Sequence, residues 1–540
     1  MAAVSRSVGV VLLILVWSAL LWADEGHHHS LTAAEVGSVD FQTSCSREVG
    51  ADFNRAVALL HSFQYEQARQ AFQQVAEKDP RCAMAEWGVA MTYFHGLWKN
   101  SNLEAGRPWF QKAIELAEAN KNTTAREKGY IEALGEIYRQ DGGSEPAHAM
   151  AFHQRLAKLR AENPGDAEAA IFYALALAIT APKTDRTFAN QRQCGEILEP
   201  IFQQHPRHPG VAHYIIHCYD NPVLAEKGLT AARAYAKIAP ASAHAQHMPS
   251  HIFTRVGSWD EAIASNQDSK LSATEAEKTS TGGEARDQRL HAMDYLEYAY
   301  LQSGQDRQAR MVLDELQSLN SVSGLTLTGN YATESIPARY AVERRDWKQA
   351  AQLKPDSRAV PWAQGLTWLA VGEGAARSSD VGRAREAEHT LALLRDKANE
   401  LNNRYWADQI EVQRREVAAW IAQAAEDHES AIAGMRSAAE LEESMDKDPI
   451  TPGAITPARE MLAELLAMNH RPREALAEYE AVLRIAPKRF NAVYGAAAAA
   501  EAAGDAMKAA GYYRSLAAIA KSDERPEVAA ARKKLEMARN

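Results

Sequence analysis

Four histidines, in two matched pairs, are the residues of this chain whose types and spacing point most directly to chemistry. They are His213 and His217 in VAHYIIHCYD, and His247 and His251 in AHAQHMPSHIF. Within each pair the separation is four residues, which puts both rings on one face of a helix. From one pair to the next, both members shift by 34 residues. His291, in HAMDYLEYAY, is a further candidate ligand. Neutral imidazole is the commonest metal ligand, and three or four rings converging on one point suit Zn, Cu, Fe or Ni. Asp220 or Asp294 could complete the shell, orient a ring through its second nitrogen, or act as a base. Three histidines and one open position would let the ion activate water, and this many donors also admits two ions. No thiolate is among the ligands, which disfavours a closed structural zinc site. Protonation of the rings predicts release of the ion below about pH 6.

Other readings of the same residues stand beside this one. A single histidine is ordinarily hydrogen-bonded or at the surface, and there are 18 in 540 residues. Two pairs in one register are hard to assign to that background. The rings could bind peptide carboxylates or aromatic ligands without a metal, or form a structural network. His61 and His95 are also 34 apart, in ALLHSF and TYFHGLW, with Phe63, Phe94 and Trp98 nearby. They read as packed histidines at helix ends, able to approach the main cluster only if the chain closes on itself. His148 and His153, five apart, read as surface residues, and Glu442–Glu443 as a solvated helix face. The chain has no convincing Gly-rich phosphate loop, nucleophile elbow, HExxH or CxxC.

The elements that must position these side chains follow from the 34-residue period, which is that of the tetratricopeptide repeat, a helix–turn–helix unit. Such a repeat has Ala at position 20, a bulky residue at 24 and Pro at 32. Counted from Val49, those places are Ala68, Phe72 and Pro80; counted from Thr456, they are Ala475, Tyr479 and Pro487, with Ala463 at position 8. Between them the units starting at Pro209, Ala243 and Leu290 carry Pro240, Gly257 with Ala262, and Ala309 at repeat positions, and DWKQAA and EDHESAIAGM suggest more. β-Branched alternation is almost absent, so the expected fold is all-α. It would be a solenoid, a right-handed superhelix of helix–turn–helix pairs.

What resemblance to these repeats implies is a concave groove lined by repeat positions near 2, 5, 9 and 12. That would aim His213, His217 and Asp220, then His244, His247 and His251, then His291, Asp294 and Tyr298 into one concavity. Pro249 is compatible with this, since proline is tolerated in a first helical turn.

Length and composition bound the rest. Hydrophobic residues are 46% and charged residues 24%, and the net charge of −10 argues against a nucleic-acid backbone as the main partner. Arg6 followed by the apolar run Val8–Trp22 reads as a signal peptide over 1–23, too short for an ordinary spanning helix, and implies export to a periplasm or beyond. Leu21 makes the cleavage site imperfect, so an uncleaved anchor is the alternative. No second membrane segment is expected.

In an exported chain the four cysteines can pair, and Cys45 with Cys82 would fasten the N-terminal segment to the first repeat; all four as small buried residues is the other reading. Three full pairings are open. The expected organisation is a polar lead-in over 24–46, with His27, His28 and His29 a surface run. A repeat array over 47–351 follows, then a joint at 352–361, helical hairpins over 362–447, and terminal repeats over 448–540. Long breaks are expected at 96–107 and 268–287, and DPITPGAITP (448–457) reads as a rigid link.

Several phrases together, FNRAVALLHSFQYEQA, DPRCAMAEWGVAM, HPGVAHYIIHCYD, HMPSHIFTRVGSWDEAIASN, HAMDYLEYAYLQ and TPGAITPARE, resemble a group of exported bacterial tetratricopeptide-repeat proteins. The resemblance spans nearly the whole chain after the targeting segment. It implies the repeat fold, export, and the importance of His213, His217, His247, His251 and His291, and names no substrate. The function expected is a scaffold that binds a metal ion and a protein or peptide partner in its groove; the alternative is a metal-dependent hydrolase or oxidoreductase.

Overall fold

The computed structural model describes residues 31–278, 283–319 and 327–537. The expected signal peptide, His27, His28 and His29, and part of the 268–287 segment lie outside the described residues.

Among those residues there is no strand, and helices succeed one another as packed antiparallel neighbours. The repeat positions explain the packing. Ala68, Phe72, Ala475 and Tyr479 are all buried. A Cβ on Gly88 would lie 2.4 Å from the Phe72 ring, and one on Gly495 would lie 2.3 Å from Tyr479. Each bulky position-24 side chain thus seats on a glycine at position 6 of the following unit, close approach that only a missing side chain permits. The chain is a tetratricopeptide-type α-solenoid. No described helix is long and apolar enough to cross a membrane.

The winding is tight enough that distant units meet. The first repeat helix, Gly50–His61, packs against Pro209–Tyr219, and Glu284–Gln302 packs against Phe490–Ala502. A Cβ on Gly210 would come within 2.6 Å of His61 Nδ1, so these two helices touch backbone to ring.

Three sequence expectations are corrected. The lead-in is not simply polar: Val36, Val39 and Phe41 are buried, and Phe41 packs on Phe53 and Tyr130 at 5.5 and 4.9 Å between centroids. The 268–287 break is largely helix, because Trp259–Ala276 runs on through its Ser and Thr residues, Thr274 donating to the Lys270 carbonyl at 2.7 Å. Glu442–Glu443 is not a solvated face. Glu442 accepts from the Ala458 N–H at 2.9 Å, and burial raises its pKa to about 7; Glu443 pairs with Arg459.

Two disulfides form, Cys45–Cys82 as expected and Cys194–Cys218, which ties Ala189–Gln204 to the helix of His213 and His217. Residues 352–360 are a non-helical joint ahead of Pro361–Arg377, one residue shorter than the expected 352–361. The 448–457 link folds against the helix that carries His291. Tyr295 Oη lies 2.9 Å from both the Pro449 and Thr451 carbonyls, and Arg339 reaches the Gly453 carbonyl at 3.4 Å.

Candidate metal centre

The helix Pro209–Tyr219 starts where His208 caps it, accepting the Val211 N–H through Nδ1 at 3.3 Å, with Pro209 in the first turn. Its length carries His213 and His217 on one face. The next ligand stretch is interrupted: Ala243–His247 ends, Met248 keeps helical dihedrals, and Pro249 opens Pro249–Val256. Pro249 therefore sits in the first turn of a second segment, where its missing N–H costs little. The rotation is preserved across the join, so His247 and His251 still share a face.

Six histidines assemble, in two triads. His213 Nε2 lies 3.0 Å from His217 Nε2 and 3.1 Å from His244 Nε2. His247 Nε2 lies 3.0 Å from His251 Nε2, and the His291 ring is centred 4.3 Å from that of His247. In each triad the donor atoms all fall within 4.8 Å of one another. The triads adjoin: His217 to His251 and His244 to His247 are each 6.3 Å between centroids. The four rings of the sequence signature do not converge on one point. They divide so that each pair takes a third histidine from elsewhere, His244 for the first and His291 for the second.

The outer nitrogens decide which atoms face inward. His247 Nδ1 is 2.7 Å from Asn266 Oδ1, and Asn266 Nδ2 donates to the Ala262 carbonyl, which orients the amide. His251 Nδ1 is 3.0 Å from Asp220 Oδ2. Both partners are acceptors, so both Nδ1 atoms carry the proton and both Nε2 atoms present lone pairs to each other. A buried pair of facing lone pairs repels unless a cation, a proton or a metal ion, lies between them. Imidazole–metal bonds of about 2.0–2.1 Å in tetrahedral geometry put two nitrogens roughly 3.3 Å apart, close to the spacing found. In the other triad His213 Nδ1 donates to the His61 carbonyl at 2.6 Å, and His244 Nδ1 is 3.3 Å from Gln288 Oε1.

A nearby cluster shows the contrast. Glu168 takes His61 Nε2 at 3.0 Å and His208 Nε2 at 2.8 Å, while His61 Nδ1 meets the Tyr214 hydroxyl at 2.9 Å. Every nitrogen there has a complementary partner, so the group is a satisfied hydrogen-bond network. Its effect is to fix His61, whose carbonyl orients His213.

His213, His244, His247, His251 and His291 are buried, and His217 is half-buried. Burial first, then repulsion among the rings, holds His213, His217, His244, His247 and His291 well below the ordinary imidazole pKa. Burial lowers His251 too, against the opposing pull of Asp220. Neutral rings are the form that binds metal. Aromatic walls complete the shell: Phe63 is 4.4 Å from His213, Tyr235 stacks on it at 5.1 Å, and Tyr295 is 4.8 Å from both His247 and His251. A cavity of about 80 Å³, lined by Gly96, Lys183, His217, Asp220, Lys447 and others, reaches the His217 side.

The remaining sequence candidates fall in different places. Asp220 orients His251 and is held by Arg255 at 2.8 Å and Lys447 at 3.1 Å. Asp294, although three residues from His291, turns to Arg339 and Ser335. Tyr298 faces Arg489 and the far side of the 448–457 link. His61 contributes its backbone, as described. His95 stacks on Tyr65 at 4.0 Å and bonds Asn100 and the Thr92 carbonyl, outside both triads. His148 pairs with Asp141, and His153 with Thr180. Asn266, Gln288, Glu168, Tyr295, Arg255 and Lys447 went unread in the sequence. Tyr295 and Arg255 each lie four residues after a ligand histidine on the same helix, and Gln288 three before His291, so helical spacing could have found them. Asn266, Glu168 and Lys447 reach the site from other helices or loops and carry no such mark.

No protein-family model matches the chain, and no curated protein matches it. Among solved structures it is similar to a human IFIT1 dimer with PPP-AAAA (11% identity, 87% of this chain and 90% of that one, TM-score 0.38). It is also similar to yeast Tom70 (12%, 91% and 96%, TM-score 0.31) and to the Cut9–Hcn1 hetero-tetramer of the APC/C (13%, 92% and 97%, TM-score 0.24). Likenesses of this degree bear on neither ligand nor activity.

Proposed function

We infer that this protein is an exported repeat scaffold whose two histidine triads hold a pair of transition-metal ions. The observation that carries the reading is the pair of lone pairs on His247 and His251, 3.0 Å apart with both outer nitrogens already donating. With neither a metal ion nor an extra proton there, the protein would keep two buried acceptors facing each other, at roughly 1–3 kcal/mol for each unsatisfied group. Such an arrangement makes physical sense where an ion repays it. The two disulfides support export, since such bonds persist in oxidising compartments.

The ions serve a small ligand. The 448–457 link lies against Tyr295 on the His291 helix, a helix that the repeat resemblance would assign to a peptide groove, and the opening at His217 leads to a cavity of only about 80 Å³. That size suits a few non-hydrogen atoms. A hydrolytic or oxidative reaction on such a ligand is the enzymatic form of this reading, with Asp220 as the group that orients His251. A partner protein, if one binds, has the aromatic cavity of about 160 Å³ beyond the link, walled by Tyr298, Tyr331, Tyr405 and Trp406.

The test is elemental analysis of tag-free protein purified in the absence of chelators. Two equivalents of one transition metal per chain is the expected result; protein that is fully folded, metal-free and unable to take up any added ion refutes the reading.

A further inference from the structure

The charges around the triads discriminate among ions, and the following rests on the reading of the triads as metal sites. We propose that each triad takes copper(I), a monovalent ion, in preference to any divalent ion.

All six ligands are neutral imidazoles. The carboxylate that reaches a ligand ring is Asp220, 3.0 Å from His251 Nδ1. Its charge is already met by Arg255 at 2.8 Å and Lys447 at 3.1 Å, and Asp446, 3.3 Å from Arg255, brings the four side chains together to neutrality. On the His291 helix, Asp294 is committed to Arg339 and Asp287 accepts from the Gly329 N–H at 2.7 Å. Two divalent ions would therefore bring four positive charges into a largely buried enclosure that offers no net countercharge. Two copper(I) ions bring half of that. The desolvation cost of an ion grows with the square of its charge, so the per-ion penalty for a divalent guest is about four times larger.

Coordination number points the same way. Three imidazoles satisfy a trigonal monovalent copper ion, whereas zinc needs a fourth ligand and octahedral ions need more. A divalent ion could obtain its missing ligand and its countercharge together by importing hydroxide or another anion. Among the described residues, the triad of His217 borders a cavity through which to do so; the His247, His251 and His291 rings are buried against Tyr295 and the 448–457 link.

Lys447 is the lever on this preference. Its ammonium touches Asp220 from the 448–457 side, and its charge acts on His251 and His291. Removing one positive charge at this range favours a divalent guest over a monovalent one by about tenfold.

The experiment is a competition on the full-length, tag-free chain. Copper(I) is titrated without oxygen against a copper(I)-selective chelator, zinc(II) is titrated against a zinc chelator, and the two ions are then mixed in equal amounts. Expected are two copper(I) ions per chain that equimolar zinc does not displace, and, in Lys447→Gln, a copper-to-zinc preference reduced about tenfold. Displacement of copper(I) by zinc in the wild-type chain overturns the proposal while leaving the metal reading intact. So does a Lys447→Gln chain that binds both ions with an unchanged ratio. Failure of both ions to bind the folded wild type overturns the metal reading itself.

Discussion

His247 Nε2 and His251 Nε2 face each other at 3.0 Å while Asn266 and Asp220 hold their outer nitrogens. This one relationship separates a ligand pair from a hydrogen-bonded pair. A hydrogen bond needs one donor, and here both protons are spent on the far side of each ring. The His61–Glu168–His208 group, equally buried, has donors and acceptors matched and needs no ion.

Because the triads are separate, each signature pair governs one ion. His247→Ala with His251→Ala should reduce bound metal from two equivalents to one, and His213→Ala with His217→Ala should do the same. Circular dichroism should keep its helical signal in both. A double variant that loses both ions would show that the triads form a single cooperative site.

Asn266 acts through His247. Asn266→Leu removes the acceptor for Nδ1–H and should weaken metal binding by about 10–100-fold, while Asn266→Asp, which keeps an acceptor, should retain it. Chelator competition measures the difference. Equal losses in the two variants would reduce Asn266 to a packing role.

The pH dependence has a definite sign. The six rings have folded-state pKa values below the ordinary 6.5, chiefly from burial. Below about pH 6.5 the unfolded chain takes up protons that the folded one refuses, so the stability of the metal-free protein falls as pH drops through that range. Above it the contribution is fully present. Bound metal should accordingly persist below the pH near 6 at which ordinary histidines release it. Metal content and thermal midpoint followed across this range test both statements; release centred at the ordinary value would mean rings freely accessible to water.

Gly210 is where the first repeat meets the His213 helix. Gly210→Ala gains at most about 1 kcal/mol of helix propensity. Its methyl would meet the His61 ring at 2.6 Å, and overpacking of that kind costs about 1–3 kcal/mol. Net destabilisation is expected in denaturant unfolding, together with weaker metal binding at the His213 triad, since the His61 carbonyl shifts with its ring.

The two disulfides should differ in what their loss does. Closing loops with sequence separations of 37 and 24 residues is worth about 3–4 kcal/mol each by chain entropy. Cys45→Ala with Cys82→Ala should lower stability and leave metal stoichiometry alone. Cys194→Ala with Cys218→Ala should lower both, because Cys218 adjoins His217 on the ligand helix.

Much of this was legible in the order of residues. Local periodicity determined the helix pairs, because the repeat places its small and bulky residues at fixed intervals and neighbouring units pack through them: Phe72 on Gly88, Tyr479 on Gly495. A spacing of four determined that His213 and His217 share a face, and so do His247 and His251, since that follows from helical rotation alone. Which rings close together was decided only by the tertiary structure. The partition into triads depends on how far one helix is rotated and displaced against the next, and His244 and His291 join by that displacement. The same holds for the side chains that orient the ligands: Asn266 lies across a helix pair, the His61 carbonyl comes from the first repeat, and Lys447 descends from a link more than two hundred residues along the chain. A one-dimensional pattern records what repeats with the helix; contacts made by the winding of the superhelix have no period to be read.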